Sequence, residues 1–375
     1  WTARSAPPEE AQRLSPTDTT GISMAGEVSK YAYPSQTLAH DLSCSSKPYA
    51  RELAAAVHAV QLSAVASRLV APSVSSASNK IQKADLSPVT VADFAVQAIV
   101  LRHIREVFHE DLICAEETSA DLQTNAVLLE RVVEAVRAVH PEATPEEVCE
   151  WIDYGDFRGH KERYWTLDPV DGTKGFLRGQ QYAICLALLV DGEVVVGVEG
   201  CPNLAPTEDS YPDASHATTP GALFYAAKAQ GAYSYPMPPP DSPAYQQLPR
   251  CAPIRLKLPE VFAEGADVRF CESVEAAHSS HTDAAKVAEK LGITQGPLRM
   301  DSQAKYCCMA RGDAQILLRL PGGLTGGDYR ENIWDQASGS LILSEAGGAV
   351  CDQSGRALDF SAGYKLFNNR GVVAA

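Results

Sequence analysis

The apolar residues of this chain change their spacing several times, and each change marks an element. Between residues 49 and 70 they recur at helical spacing (Leu53, Val57, Val60, Ala64), which predicts a helix, with Ser46 and Pro48 suited to its cap and first turn. The same period returns over 92–108 (Phe94, Ile99, Val100, Ile104, Val107) and over 126–140 (Val127, Leu128, Val132, Val133, Val136). Thr144, Pro145 and Glu147 carry a helix-start signature: a cap, a first-position proline and a capping-box acid. Short apolar runs predict strands at 112–115, 164–167, 183–190, 193–199, 223–226 and 232–235, and Asp191-Gly192 is a two-residue hairpin turn. Pro236, Pro238, Pro239, Pro240 and Pro243 then exclude ladder and helix alike, predicting a surface loop or a seam between lobes. Beyond it strands are expected at 268–271, 315–320 and 350–352. Helices are expected at 282–291, from a cap at Asp301-Ser302 to Gly312, and at 333–346. The predicted fold class is α/β: an extension at 1–45, an α+β lobe at 46–235 and an α/β lobe at 250–375.

Composition narrows the partners. The 375 residues are 45% hydrophobic, enough for one large core or two, and the net charge is −15. So acidic a surface disfavours nucleic-acid polymers and anionic membranes. A small phosphorylated substrate stays open, because bound divalent cations invert the local field. The longest apolar run, Ala183–Val190, is too short to span a bilayer. The ten cysteines form no Cys-x-x-Cys pair and read as reduced thiols of an intracellular protein, with a redox-sensitive pair as the alternative. The chain starts at Trp1, and its first 45 or so residues are rich in Ser, Thr, Pro and Ala. They suit the remnant of a chloroplast or mitochondrial targeting segment, with a disordered or loosely packed extension of a cytoplasmic protein as the alternative. Oligomeric state is not legible.

The chemistry concentrates in carboxylates at element ends. Trp165-Thr166-Leu167-Asp168-Pro169-Val170-Asp171-Gly172-Thr173 ends a strand in an aspartate, turns at a proline and adds a second aspartate. Two acids this close repel unless a cation neutralises them, and a hard cation with oxygen ligands does so, with the Val170 carbonyl as a further donor. The plainer reading is that Asp168 and Asp171 cap a turn. Glu116-Glu117 ends another apolar strand, and Asp335 is expected in the first turn of a helix, where a carboxylate also favours the positive end. Thr90 can cap the helix carrying Asp93, a capping-box acid by itself and a candidate to orient water beside the others.

These segments together resemble the inositol monophosphatase superfamily of metal-dependent, lithium-sensitive phosphatases. The likeness lies in Lys-x-Asp-x-Ser-Pro-Val-Thr at 83–90, Glu-Glu at 116–117, Asp-Pro-Val-Asp-Gly-Thr at 168–173 and Trp-Asp-x-Ala-x-Gly at 334–339. Asp-Gly-Thr-Lys-Gly-Phe-Leu-Arg-Gly at 171–179, Ala-His-Ser-Ser-His at 277–281 and Met-Asp-Ser-Gln-Ala-Lys-Tyr at 300–306 are similar to its 3'(2'),5'-bisphosphate nucleotidase branch, in its eukaryotic, plant- and algal-like forms. The resemblance implies a layered αβαβα sandwich and up to three magnesium ions on Glu116, Asp168, the Val170 carbonyl, Asp171 and Asp335. Asp93 and Thr173 would activate water, while Gly172, Thr173, His278, Ser302, Lys305 and Arg319 would hold a small nucleotide bisphosphate. It implies hydrolysis of 3'-phosphoadenosine 5'-phosphate to AMP, and action on 3'-phosphoadenosine 5'-phosphosulfate. The alternatives are an inositol mono- or polyphosphate phosphatase, and a non-catalytic nucleotide sensor or assembly subunit. A Gly-rich insertion at 322–327 and the N-terminal extension depart from the family pattern.

Overall fold

Successive side chains of a strand face opposite sides of its sheet, and Ala183–Val190 is buried on both. Ile184, Leu186 and Leu188 join one core with the helices Ala50–Val70 and Val91–Val107. Ala183, Cys185, Ala187 and Leu189 join a second core with the helices Ala304–Arg311 and Ala337–Ala346. One sheet therefore lies between two helical layers. It is seen in a computed structural model that describes residues 38–71, 80–82, 88–216, 218–260, 268–274, 281–320 and 329–375. Most of the N-terminal extension, Lys83 to Ser87, His278 and the insertion at 322–327 lie outside the described residues.

Among the described residues the first sheet has seven strands in chain order: Leu112–Ala115, Arg163–Asp171, Ala183–Val190, Glu193–Cys201, Ala222–Ala227, Ala232–Pro236 and Ile254–Leu256. Its first two strands are parallel and the rest antiparallel. The second sheet runs Leu298–Arg299, Phe270–Glu272, Ile316–Arg319, Val372–Ala374, Val350–Cys351. The helices Ala304–Arg311 and Ala337–Ala346 pack on each other and contact strands of both sheets. The result is the mixed α/β layering expected.

Three local readings change. Pro236 ends a strand, and Pro243–Arg250 forms a 3-10 helix with Pro243 in its first turn, where no donor is needed. This segment is not a surface loop, since Met237, Tyr245 and Leu248 are buried in the first core. The strand Ile254–Leu256 joins the first sheet, so that sheet draws on chain beyond the proline segment. The helix expected from 333 starts at Ala337, which leaves Asp335 in the turn before it. Ala50–Val70 is long and apolar enough to cross a membrane, yet most of it is buried inside the protein.

Candidate active site

The register of the parallel pair builds the first part of the site. Ala115 is opposite Leu167, so the next residue on each strand, Glu116 and Asp168, emerges at the same sheet end. The Glu116 N–H donates to the Leu167 carbonyl at 3.2 Å. Carboxyl ends of parallel strands are where α/β sheets gather ligands. Beyond Asp168 the ladder to Ala183–Val190 is interrupted: Asp168 opposes Cys185 and Asp171 opposes Ala183, with Pro169 and Val170 facing one residue. A bulge accepts a proline, which has no N–H to donate, and re-aims the chain. The Val170 N–H then donates to Asp168 Oδ1 at 3.1 Å. Gly172 follows at φ 85°, where a Cβ would lie 2.9 Å from the Ser302 Cβ, so only glycine suits this turn.

Helix Val91–Val107 brings the next acid. Thr90 Oγ1 accepts from the Ala92 N–H at 3.1 Å, while Asp93 Oδ2 accepts from the Thr90 N–H at 2.7 Å and its hydroxyl at 2.6 Å. Asp93 Oδ1 lies 3.4 Å from Thr173 Oγ1, which is also 3.2 Å from the Val170 carbonyl. With one proton, the hydroxyl donates to one of the two at a time. Gln97 of the same helix clasps the Glu117 backbone, with Nε2 donating to its carbonyl at 2.7 Å and Oε1 accepting its N–H at 3.0 Å. One helix thus positions both Asp93 and the 116–117 turn.

Asp335 arrives from the second sheet's side. Its Oδ2 is 3.4 Å from Asn332 Nδ2 and 3.9 Å from Arg319 Nη2, and Arg319 makes its shorter ion pair, 2.8 Å, with Glu331. Burial, then Glu116, Asp171, Asp335 and Asp93, hold the Asp168 carboxyl well above the usual range. Burial also raises Asp171, against the pull of Lys305, Arg319 and the Gln303 N–H. Burial pushes Asp335 up to about 8, with Arg319 opposing and Asp171, Glu331 and Glu116 adding. Oxygen donors packed against their own repulsion suit a hard divalent cation, which relieves it. The five acids spread wider than a one-ion cluster. Among the described residues only Glu199, Cys201 and Cys307 bring three ligating atoms within 4.8 Å. Two of its members are held neutral: burial raises Glu199 to about 8 and Cys307 well above its usual range, and Cys307 Sγ donates to Glu199 at 2.9 Å.

The expected substrate contacts are placed unevenly. Lys305 is buried, and its Nζ donates to the Ser302 carbonyl at 2.8 Å and the Met300 carbonyl at 3.4 Å. Ser302 stands at φ 75°, with Oγ accepting from the Ala304 N–H at 3.2 Å. Its neighbour Gln303 replaces it as cap position of the helix. The Lys-Gly-Phe-Leu-Arg run has a packing role: Phe176 meets Tyr182 edge-on and Arg178 pairs with Asp301. Gln303 and Glu331 went unread in the sequence. The signal for Gln303 was its place inside the 300–306 motif, between Ser302 and Lys305. Glu331 had none, because its pairing with Arg319 is tertiary.

Over residues 50–375 the chain matches a model described as the inositol monophosphatase family. A Schizosaccharomyces pombe protein named 3'(2'),5'-bisphosphate nucleotidase is 43% identical over 311 residues, covering 80% of this chain and 83% of that one. A protein of the same name from Oryza sativa is 40% identical over 344 residues, covering 88% and 91%, so fungal and plant relatives stand at similar distances. The solved structure of the extragenic suppressor protein suhB from Bartonella henselae has a TM-score of 0.53 at 17% identity, covering 86% of this chain and 92% of that one, a likeness of fold.

Proposed function

Because this chain belongs to the inositol monophosphatase family, we propose that it is a magnesium-dependent 3'(2'),5'-bisphosphate nucleotidase. It removes the 3'-phosphate of 3'-phosphoadenosine 5'-phosphate, giving AMP, and acts likewise on 3'-phosphoadenosine 5'-phosphosulfate. The observation that carries this reading is the gathering of carboxylates around Asp168, whose own carboxyl is raised by burial and then by Glu116, Asp171, Asp335 and Asp93. Glu116, Asp168, Asp171, Asp335 and the Val170 carbonyl are the proposed ligands. Up to three magnesium ions supply charge neutralisation and polarisation of the phosphoryl oxygens.

The chain's own groups do the rest. Asp93, fixed through Oδ2 by Thr90, keeps Oδ1 toward the Thr173 hydroxyl. The pair orients the attacking water and draws its proton as oxygen adds to phosphorus and the bond to the 3'-oxygen breaks, the departing 3'-oxygen taking a proton from solvent to become a hydroxyl. Gly172 and Thr173 open the turn that faces the phosphate. His278, Ser302, Lys305 and Arg319 are the proposed grip on the nucleotide and its second phosphate, Arg319 through the forked donors that match phosphate oxygens.

The test is phosphate release by purified protein across a magnesium series, with 3'-phosphoadenosine 5'-phosphate and inositol 1-phosphate side by side. Faster release from the nucleotide is expected. Preference for inositol 1-phosphate points to the sugar-phosphatase alternative. Nucleotide binding without release at any magnesium concentration points to a sensor, and either result overturns the proposal.

A further inference from the structure

Gln303 is 2% exposed, and its backbone and side chain are engaged in different directions. Its backbone N–H donates to Asp171 Oδ2 at 2.5 Å. Its Nε2 donates to the carbonyl of Trp334, the residue before Asp335, at 2.8 Å. Its Oε1 accepts from the Gly339 N–H at 3.2 Å and lies 3.2 Å from Ser338 Oγ. Ser338 Oγ is also 3.0 Å from Glu199 and has one proton, so the Gly339 N–H is the constant donor.

Two features show how tightly this joint is made. Ser302 adopts the left-handed conformation at φ 75°, sparsely used by residues other than glycine, and so turns the next N–H toward Asp171. At Gly339 a Cβ would lie 2.3 Å from the Tyr306 ring and 2.8 Å from Glu199 Oε1. A residue without a Cβ lets the start of the Ala337–Ala346 helix come within reach of Gln303. Asp171 ends a strand of the first sheet, and Trp334-Asp335 leads into a helix of the layer between the sheets. Gln303 touches both.

We infer that Gln303 is a positioning residue for cation binding: it braces Trp334-Asp335 against Asp171 and so sets how the two carboxylates share divalent ions. The inference rests on the metal-dependent reading above. Partners that orient metal ligands from behind cost about 10–100-fold in affinity or activity when removed.

The experiment uses the metal-stripped full chain and Mn2+ as the probe, with binding followed by calorimetry and phosphate release followed against magnesium. Wild type is compared with Asp171→Asn, Gln303→Glu and Gln303→Leu. Gln303→Glu keeps the shape and the acceptor but loses the donor to Trp334. Both Gln303 variants are expected to bind Mn2+ about 10–100-fold more weakly, and to need correspondingly more magnesium for half-maximal release. Turnover at saturating magnesium recovers, a split that a loss of folded protein does not produce. If Gln303→Leu fails to fold, Gln303→Glu decides. Wild-type Mn2+ affinity in the Gln303 variants, with only the unfolding midpoint lowered, overturns the inference while Asp171→Asn still reports the metal site. No Mn2+ binding by wild type overturns both readings.

Discussion

Asp93 divides its work between two oxygens. Oδ2 closes the capping box with Thr90, a structural duty, and Oδ1 faces Thr173, the chemical one. Two substitutions separate them. Asp93→Asn keeps the shape and one accepting oxygen but removes the base, so turnover is expected to fall by about 10²–10⁴-fold with little change in unfolding free energy. Asp93→Ala loses the reciprocal half of the cap as well, and is expected to cost about 1 kcal/mol of stability on top. Steady-state kinetics and urea unfolding read the two effects independently. Near-normal turnover in Asp93→Asn leaves Asp93 a helix cap and nothing more.

Among the elements, the helical layer of the first core carries its own pH sensitivity. His58 of Ala50–Val70 and His103 of Val91–Val107 bring their ring centres within 4.8 Å, and His140 meets Arg102. Trp151 stacks edge-on to His140, and Glu106 and Glu142 pair with Arg102 from outside. Burial lowers His58 to about 4. Burial, then Arg102 and His58, lowers His140 to about 3. Burial followed by His58, His140 and Arg102 holds His103 well below its usual value. These imidazoles are neutral in the folded chain, whereas unfolded histidines take a proton near pH 6.5. Their contribution to stability is therefore complete above about pH 6.5 and declines as pH falls toward 4. Urea midpoints between pH 7 and 5 should drop, and His103→Leu should flatten the slope. An unchanged slope in that variant removes the cluster as the cause.

The same elements show what the sequence could and could not say. The helices at 50–70, 91–107 and 126–137 were readable because burial against a sheet imposes helical spacing on their apolar residues. The hairpin at Asp191-Gly192 was readable because both residues must take positive φ, 52° and 79°. Arg163–Asp171 runs past the expected end at 167, since a proline argues against a ladder and a bulge overrules it. Leu298–Arg299 and Val372–Ala374 are too short to show alternation. The acids stood out as residues at element ends. What holds them, such as Gln97 on Glu117 or Gln303 on Asp171, depends on pairs distant in the chain, which no local pattern marks.

For the molecule as a whole, a net charge of −15 and a knot of acids raised by burial and by one another's charge should make stability depend on added cations. A ligand that binds only the folded form stabilises it by about 2.7 kcal/mol at a hundredfold excess over its Kd. Magnesium should raise the thermal midpoint by several degrees and EDTA should reverse this. Asp171→Asn should respond weakly, and sodium chloride of equal ionic strength should not substitute. A midpoint indifferent to magnesium in wild type removes the acids as a cation site.

Val372–Ala374 is flanked in its sheet by Ile316–Arg319 and Val350–Cys351. While it is still inside the ribosome, the strand bearing Arg319 keeps an open edge. Pairing between distant segments is slow to form and late to be rewarded. A half-made polypeptide can close its first sheet and display Glu116, Asp168 and Asp171, but it has no means to complete the cage. Stalled nascent chains ending before residue 350 should therefore be equally sensitive to protease with and without magnesium. Catalytic competence would then be withheld until translation has delivered the last strands of the second sheet.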